Sequence, residues 1–159
     1  MPAVAEPEAA RLVCFFVDDQ ELGVDIADVR ETIEPRPVTR VFLVPDFVAG
    51  LMNLRGDVLA VIDLARLLGF RGTAPGAARV VIVRARIAGR LVSAGLLVDR
   101  LADVRDLAPG SLRPPPPTLP GSVGGLLRGV ARAGDHPLLV LDVERLLDHE
   151  RLRPYRRRA

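Results

Sequence analysis

Two segments of the chain repeat one pattern 79 positions apart, and this repeat constrains the fold more than any other feature. Residues 59–68 read LAVIDLARLL and residues 138–147 read LLVLDVERLL, so an aspartate, an arginine and a Leu-Leu pair match. Upstream, residues 50–56 (GLMNLRG) are echoed by residues 125–129 (GLLRG). Chance matching of aliphatic runs is the alternative, and the shared polar positions disfavour it. The repeat predicts two similar lobes in one chain.

Each copy of the repeat predicts two strands, the turn between them and a short helix. The apolar run of the second strand leads directly into an aspartate, Asp63 in the first copy and Asp142 in the second. A carboxylate at the N-cap accepts hydrogen bonds from the free amides of the first helical turn and complements the helix dipole. Both aspartates are therefore predicted to begin a helix.

The remaining apolar residues also occur in short runs. Gly, Asp or Pro interrupts them every 8 to 12 residues, a spacing typical of many short strands and of small barrels. Residues 27–33 either continue a strand or form one helical turn, and the four prolines at 114–117 predict a loop or connector. Ala88-Gly89 predicts a two-residue hairpin turn. The predicted strands are 11–17, 22–26, 38–44 (stopped by Pro45), 79–87 and 90–98.

The positive charge of the chain is concentrated at its end. All 22 basic residues are arginine and the formal net charge is +2, so no lysine can form a Schiff base or bind phosphate in a P-loop. Residues 151–159 contain five arginines and no acid, which leaves the first 150 residues at −3. Nucleic-acid binding needs a basic face interleaved with aromatics, and aromatics are only 4% of this chain, so none is predicted. The tail is most simply a solvated end, with weak contact to an anionic surface as the alternative.

Few residues of this chain are suited to metal or thiol chemistry. The single cysteine, Cys14, lies in an apolar run and is predicted to be a buried hydrophobe in a reducing compartment. His136 and His149 have no neighbours at metal-ligand spacing and are predicted to be exposed and inert. The acids of the first predicted hairpin are interpreted as turn and exposed-strand residues: Asp18, Asp19, Glu21 and Asp25.

Nucleophilic catalysis and nucleotide binding also lack their motifs. No serine lies in a Gly-x-Ser-x-Gly elbow. The glycine-rich stretch 121–125 follows prolines instead of a strand, which favours a linker over a dinucleotide-binding loop. We therefore predict a protein that is not an enzyme and that has no cofactor and no metal.

The N-terminus and the apolar runs predict a cytoplasmic protein. Residues 1–8 contain acids where a secretory signal needs basic residues. No uncharged apolar run approaches the ~18 residues of a membrane span, so no direct membrane insertion is expected. The predicted organisation is a flexible N-terminus at 1–10, one domain of two lobes at 11–149 and a basic C-terminal tail at 150–159.

One segment of the first repeat is unusual in placing polar residues in an apolar stretch. Asn53 and Arg55 are bracketed by Gly50 and Gly56, which suggests a tight backbone that presents a guanidinium beside an apolar surface. Arg55 has two interpretations: a structural salt-bridge partner, or a recognition residue in a protein interface, where the planar fork of arginine fixes geometry.

This segment and several others resemble the CheW-like family of chemotaxis coupling proteins. The match extends from Arg11 to about Leu147, and its most specific part is the block Asn53-Leu54-Arg55-Gly56 followed by Val61-Ile62-Asp63-Leu64. The order and spacing of the motifs agree with the family throughout. The other matching motifs are Leu12-Val13 with Leu22-Gly23-Val24-Asp25-Ile26, Val29-x-Glu31, Val38-Thr39-Arg40, Pro45-x-Phe47-Val48-x-Gly50, Val98-Asp99 with Asp103-Val104, and Leu139-Val140-Leu141-Asp142-Val143-x-x-Leu146-Leu147.

The resemblance implies both a fold and a function. The fold would be mostly β, with two intertwined five-stranded SH3-like β-barrels and short helices. The function would be that of a non-catalytic adaptor in chemotaxis signal transduction, recruited to chemoreceptor arrays. Its partners would be the cytoplasmic tip of a methyl-accepting chemoreceptor and the regulatory domain of a CheA-type histidine kinase. Receptor binding would use the groove between the barrels, at the positions Val29, Glu31, Gly50, Asn53, Arg55 and Gly56.

An apolar groove edged by Arg55 and Glu31 suits this role. The apolar stripe of a helical hairpin would fill the groove, and the charges would fix its register. The kinase-binding residues are not assigned, and the strands from Arg79 to Val98 are the candidate region.

The sequence departs from the family pattern at several places. Ala60 stands where the family commonly has proline, and Arg100 stands where glycine is frequent. The Pro-rich stretch 112–120 and the arginine tail are additional. Two alternatives follow: a CheW-like scaffold that binds only one partner in another two-component pathway, for motility or development, and a basic binder of nucleic acid or membrane surfaces that acts through its tail.

Overall fold

The structure is a computed structural model that describes residues 10–70 and 78–148. The predicted flexible N-terminus, apart from Ala10, and the basic tail with His149 lie outside the described residues. The strands are β1 (Ala10–Val17), β2 (Gln20–Asp25), β3 (Val29–Ile33), β4 (Val48–Leu54), β5 (Asp57–Asp63), β6 (Arg79–Ile87), β7 (Arg90–Val98), β8 (Arg100–Leu107), β9 (Leu127–Ala133) and β10 (His136–Leu141). The helices are α1 (Leu64–Leu68), α2 (Gly121–Gly124) and α3 (Val143–Leu147), and a 3-10 turn covers Ile26–Asp28.

The strands form two five-stranded sheets of the same design. The first sheet has the order β8-β1-β2-β10-β9 and the second the order β3-β6-β7-β5-β4. Each sheet joins two hairpins through a parallel pair, β2 with β10 and β7 with β5. The two halves exchange a strand, because β3 follows β2 along the chain but pairs with β6, and β8 follows β7 but pairs with β1. This exchange confirms the predicted architecture, which is mostly β with two intertwined five-stranded SH3-like barrels and short helices.

The sequence repeat corresponds to β4-β5-α1 in the second sheet and to β9-β10-α3 in the first. The Oδ1 atom of Asp63 accepts from the amide three residues later at 3.2 Å, and that of Asp142 does so at 3.1 Å, so both are N-caps as predicted. The two copies also share a main-chain hydrogen bond. Each capping aspartate donates its N–H to the carbonyl sixteen residues earlier, at Phe47 (2.7 Å) and Leu126 (2.9 Å).

The buried apolar residues form three clusters. The largest one lies between the sheets and includes Phe15 and Val24 from the first sheet and Val81 and Leu96 from the second. Two smaller clusters each belong to one sheet: Leu12, Cys14, Ala131, Ala133, Leu138 and Val140 in the first, and Met52, Leu54, Leu59, Val61, Val80 and Ile82 in the second. Burial raises the pKa of the Cys14 thiol to about 11, which confirms its interpretation as a buried hydrophobe.

The predicted strand at 38–44 is wrong. Within it only Thr39 makes a β-bridge, with both its N–H and its C=O bonded to Leu51 at 2.8 Å. Phe42 and Leu43 form a turn, Leu43 has φ 62°, and the two residues are 90% and 100% exposed. The centre of the apolar run therefore faces solvent, while Val44 packs against the main core, and prolines on both sides of the run limit the N–H groups that a ladder would need.

The other elements agree with the sequence prediction more closely. The hairpin at Ala88-Gly89 pairs nine residues of β6 with nine of β7, as predicted. Of the two alternatives for residues 27–33, the helical turn is present at Ile26–Asp28, whereas β3 does not continue β2, because it pairs with β6 in the second sheet. Two elements were not predicted: β8, and the short helix α2 where a linker was expected.

A buried carboxylate joins three strands of the first sheet. Glu21 on β2 is fully buried, and its Oε1 accepts from Arg105 Nε on β8 at 2.9 Å. Its Oε2 lies 2.5 Å from Nε2 of His136 on β10. The interpretation of Glu21 as an exposed-strand residue and of His136 as exposed and inert is therefore wrong. Sequence could not show this, because these partners are 84 and 115 positions from Glu21.

The cluster keeps Glu21 ionised. Burial alone raises the pKa of its carboxyl, but the hydrogen bonds from His136 and Arg105 lower it further than burial raises it. The pKa in the folded protein is therefore below its ordinary value. Stability from this group is present above the unfolded-state pKa and is lost as the pH falls through the folded pKa.

We predict that Glu21→Gln lowers the free energy of unfolding by about 1–3 kcal/mol at neutral pH, because two charge-assisted hydrogen bonds are weakened in a buried site. Urea unfolding at a series of pH values measures the effect. The difference from the wild type should be largest near pH 7 and should shrink below about pH 4.

Asp106→Asn is the matched control, since it makes the same carboxylate-to-amide change in an ion pair between β1 and β8. The Arg11 and Asp106 side chains of that pair are 62% and 74% exposed. Its loss should cost less than about 1 kcal/mol. If both substitutions lowered the free energy of unfolding equally, burial would not make the contacts of Glu21 more stabilising than an exposed ion pair.

Candidate functional site

The turn between β4 and β5 presents the most distinctive predicted residues. Leu54 pairs with Asp57, so the turn contains only Arg55 and Gly56, whose φ values are 50° and 89°. Two positive φ angles are the geometry of a type I′ hairpin turn, which glycine adopts without strain. Asn53 Oδ1 accepts from the Gly56 N–H at 3.0 Å and stabilises the turn. Asn53 and Gly56 therefore set the position of the Arg55 side chain.

Arg55 forms a two-pronged ion pair with Glu31. Its two terminal nitrogens lie 2.6 and 2.9 Å from the two carboxylate oxygens. The hydrogen bond from Arg55 lowers the pKa of Glu31, and the same bond raises that of Arg55. Glu31 is on β3 and Arg55 follows β4, which are the two outer strands of the second sheet, so the pair links the two edges of that sheet.

The pair unites both interpretations of Arg55. It is a structural ion pair, and yet the Arg55 side chain is 67% exposed and that of Glu31 25% exposed. A guanidinium has five N–H donors, and only two of its nitrogens contact Glu31. The remaining donors and the planar face are available to a partner.

Gly50 and Val29 contribute through the backbone and through packing. Gly50 has φ 152°, and a Cβ atom there would lie 2.5 Å from the carbonyl oxygen of Thr39. The repeat has the same contact in the first sheet, where a Cβ on Gly129 would lie 2.5 Å from the Arg113 carbonyl. Val29 is half-buried against the core between the sheets. Of the six predicted residues, Glu31 and Arg55 thus present the charged groups.

A cavity of about 590 Å³ lies beside this turn, between β5 and β7. Its charged lining residues are Arg30, Asp57 and Arg84, so it is distinct from the predicted groove between the barrels that Arg55 and Glu31 would edge. Arg30 comes within 3.9 Å of Asp57. The remaining lining residues are mostly apolar: Leu51, Val58, Leu59, Ala60, Ile62, Leu91, Val92, Ser93, Ala94 and Leu147. The sequence signal for this basic edge is the alternation of Arg84 and Arg86 along one predicted strand, which places both arginines on the same face.

The model of the CheW-like domain matches residues 11–151. The chain belongs to the CheW-like family. The match extends over both sheets, so it includes the Arg55–Glu31 pair and the cavity. It also spans the motifs on which the resemblance was based.

Individual CheW-like relatives are similar to this chain along most of their length. Chemotaxis protein CheW of Klebsiella aerogenes is 32% identical over 147 residues, which are 92% of this chain and 87% of that protein. Protein FrzA of Myxococcus xanthus is 30% identical over 154 residues, 96% of this chain and 94% of that protein. The crystal structure of the scaffolding protein TtCheW from Thermoanaerobacter tengcongensis matches with a TM-score of 0.76 and 29% identity, over 92% of this chain and 93% of that one.

These relatives define the role of the CheW-like chain as an adaptor in chemotaxis signalling. The description of TtCheW as a scaffolding protein agrees with the prediction of a non-catalytic role. In the described part of the chain, no helix is long and apolar enough to cross a bilayer. Within the same residues, no three metal-binding side chains come together.

We predict that Gly50→Ala destabilises this CheW-like fold by at least about 2 kcal/mol, because the new methyl group meets the Thr39 carbonyl and the backbone is strained. Thermal or urea unfolding measures the loss. Gly124→Ala is the control, since its Cβ would meet only Pro115 Cβ at 3.8 Å. A stable Gly50→Ala variant would contradict the structural role assigned to this glycine.

Proposed function

We propose that this chain couples the cytoplasmic tip of a methyl-accepting chemoreceptor to the regulatory domain of a CheA-type histidine kinase. Membership of the CheW-like family supports the adaptor role, and the exposed Arg55–Glu31 pair supports a protein-recognition surface on the second barrel. The adaptor would act in the cytoplasm, at chemoreceptor arrays.

In this proposal the receptor contacts the surface around Val29, Glu31, Gly50, Asn53, Arg55 and Gly56. Glu31 and Arg55 hold each other in one geometry, so a receptor helix meets preorganised charges and little side-chain entropy is lost on binding. Leu51 on β4 and Val58 on β5, the strands joined by the Arg55 turn, are apolar and line the neighbouring cavity. Such a contact can be weak by itself, since many copies in an array strengthen it.

The kinase would bind a different surface, so that both partners are held at once. The candidate region remains β6 and β7, from Arg79 to Val98, whose distal end carries the exposed residues Arg84, Arg86 and Arg90. A second candidate function is a scaffold that binds only one of these partners in another two-component pathway. The similarity to Protein FrzA, whose name does not mention chemotaxis, supports this alternative.

We expect Arg55→Ala to weaken receptor-dependent control of kinase activity while the fold stays intact, because the side chain is exposed and its partner Glu31 remains accessible to water. The measurements are reconstituted kinase activity with receptor, and unfolding of the variant. Arg40→Ala is the control, since Arg40 is exposed and has no ion pair within the described residues.

The charge swap Glu31→Arg with Arg55→Glu separates recognition from structure. The swap can restore the ion pair, but it presents the opposite charges to the receptor. If the pair only links the outer strands β3 and β4, the swapped protein should couple normally, and that result would contradict receptor recognition by Arg55.

A pull-down with the receptor tip and the kinase regulatory domain decides between the two functions. Retention of both partners supports the coupling adaptor, and retention of one supports the alternative scaffold. Binding through the tail instead should weaken steeply with added salt and disappear when residues 151–159 are deleted.

A further inference from the structure

The cavity between β5 and β7 exists because these parallel strands separate at one end. Their pairing begins at Ala60↔Ala94 and continues to Asp63↔Leu97. The preceding residues, 57–59 on β5 and 91–93 on β7, pair with β4 and β6 on their outer sides but not with each other. The inner backbone edges of these two segments therefore face an open cleft.

The same place in the first barrel is closed. By register, Glu21 and His136 correspond to Ser93 and Asp57, and the parallel pairing there already begins one step earlier, at Leu138↔Glu21. The Gln20 side chain also donates from Nε2 to the carbonyl of Pro137 at 3.0 Å. Two side-chain contacts thus seal the first barrel where the second stays open.

In the second barrel, Val92 and Val58 occupy the positions equivalent to these closing contacts. They correspond to Gln20 and Pro137, and a valine at position 92 has no amide that could bond to the carbonyl of Val58. Val58 is 41% exposed, and the nearby Leu91 is 56% exposed. At this site the second barrel therefore has unpaired backbone and exposed apolar side chains. The first barrel closes the equivalent site with side-chain contacts.

The rim of this cleft is positively charged. Arg84 pairs in the β-ladder with Ser93 and Arg86 with Leu91, so these four side chains share one face of the hairpin. Both arginines are exposed, and among the described residues neither has an ion-pair partner. The one acid that lines the cleft, Asp57, is already near Arg30.

We propose that this cleft binds an acidic segment of a partner protein, which inserts an apolar side chain between β5 and β7 and sets its carboxylates against Arg84 and Arg86. The unpaired backbone edges favour a polypeptide, since they can hydrogen-bond to its main chain. A nucleic acid would need aromatic side chains to stack on, and the lining has none. A membrane surface is flat, whereas this site is a cleft. The cleft lies at the distal end of β6 and β7, the region proposed above for kinase binding, so the inference rests on that part of the proposed function and adds the chemistry of the bound segment. It does not depend on receptor binding at Arg55.

Fluorescence anisotropy with the full-length protein tests the proposal. The probe is a labelled synthetic peptide of about fifteen residues in which leucines are flanked by glutamates, and its counterpart has glutamine in place of glutamate. We expect saturable one-to-one binding of the acidic peptide and at least about tenfold weaker binding of the glutamine peptide.

Three variants locate the binding. Arg84→Glu should weaken binding of the acidic peptide by about tenfold or more, whereas Arg40→Glu, an equal change of charge outside the cleft, should leave it unchanged. Val92→Gln copies the seal of the first barrel and should abolish binding. Leu91→Gln repeats the test at an exposed position in case the half-buried Val92 does not tolerate the change, and circular dichroism confirms that each variant is folded.

Two results would overturn the proposal. One is equal affinity for the acidic and the glutamine peptide, or binding that neither Arg84→Glu nor Leu91→Gln reduces. The other is binding of phosphatidylserine vesicles that depends on Arg84, without binding of the peptide. Arg55→Ala should leave peptide binding unchanged, which separates this inference from receptor recognition. The pull-down with the kinase regulatory domain measures kinase binding without the peptide, so loss of peptide binding with the kinase still retained would overturn this inference alone.

Discussion

The exchange of one strand between the two halves of the chain is the constraint on which the rest of the structure depends. Neither half can complete its sheet alone, because β3 pairs with β6 and β8 pairs with β1. The largest apolar cluster lies between the sheets and takes residues from both. Closure of one barrel therefore requires the other, and the surfaces of both barrels have a fixed relative position that suits an adaptor.

Each barrel uses an ion pair that involves an outer strand, and burial decides what that pair can do. In the first barrel, Glu21 is fully buried and contacts Arg105 on the outer strand β8, so this group serves stability. In the second barrel, Arg55 is 67% exposed while it bonds to Glu31. A similar chemical contact is thus internal in one lobe and available to a partner in the other.

Local patterns of the sequence predicted the features that arise locally. The repeat predicted β4-β5-α1 and β9-β10-α3 with their capping aspartates, and Ala88-Gly89 predicted the long hairpin. The strand β8 was missed because its charged residues hide the apolar alternation, and the run at 38–44 was misleading because Phe42 and Leu43 face solvent in a turn. The burial of Glu21 and the ion pair of Arg55 with Glu31 depend on residues distant in sequence, which no local pattern reveals.

The internal repeat offers a comparison within a single chain. Two lobes with the same strand order and the same capping contacts differ at the end of one parallel pair, where Gln20 reaches the Pro137 carbonyl in the first and a cleft opens in the second. The fold does not require an open cleft, because the first lobe has the same strand order and is closed at the equivalent place. An unpaired backbone edge beside exposed apolar residues is a liability for a free protein. Its presence in one lobe only is best explained by a partner that covers it.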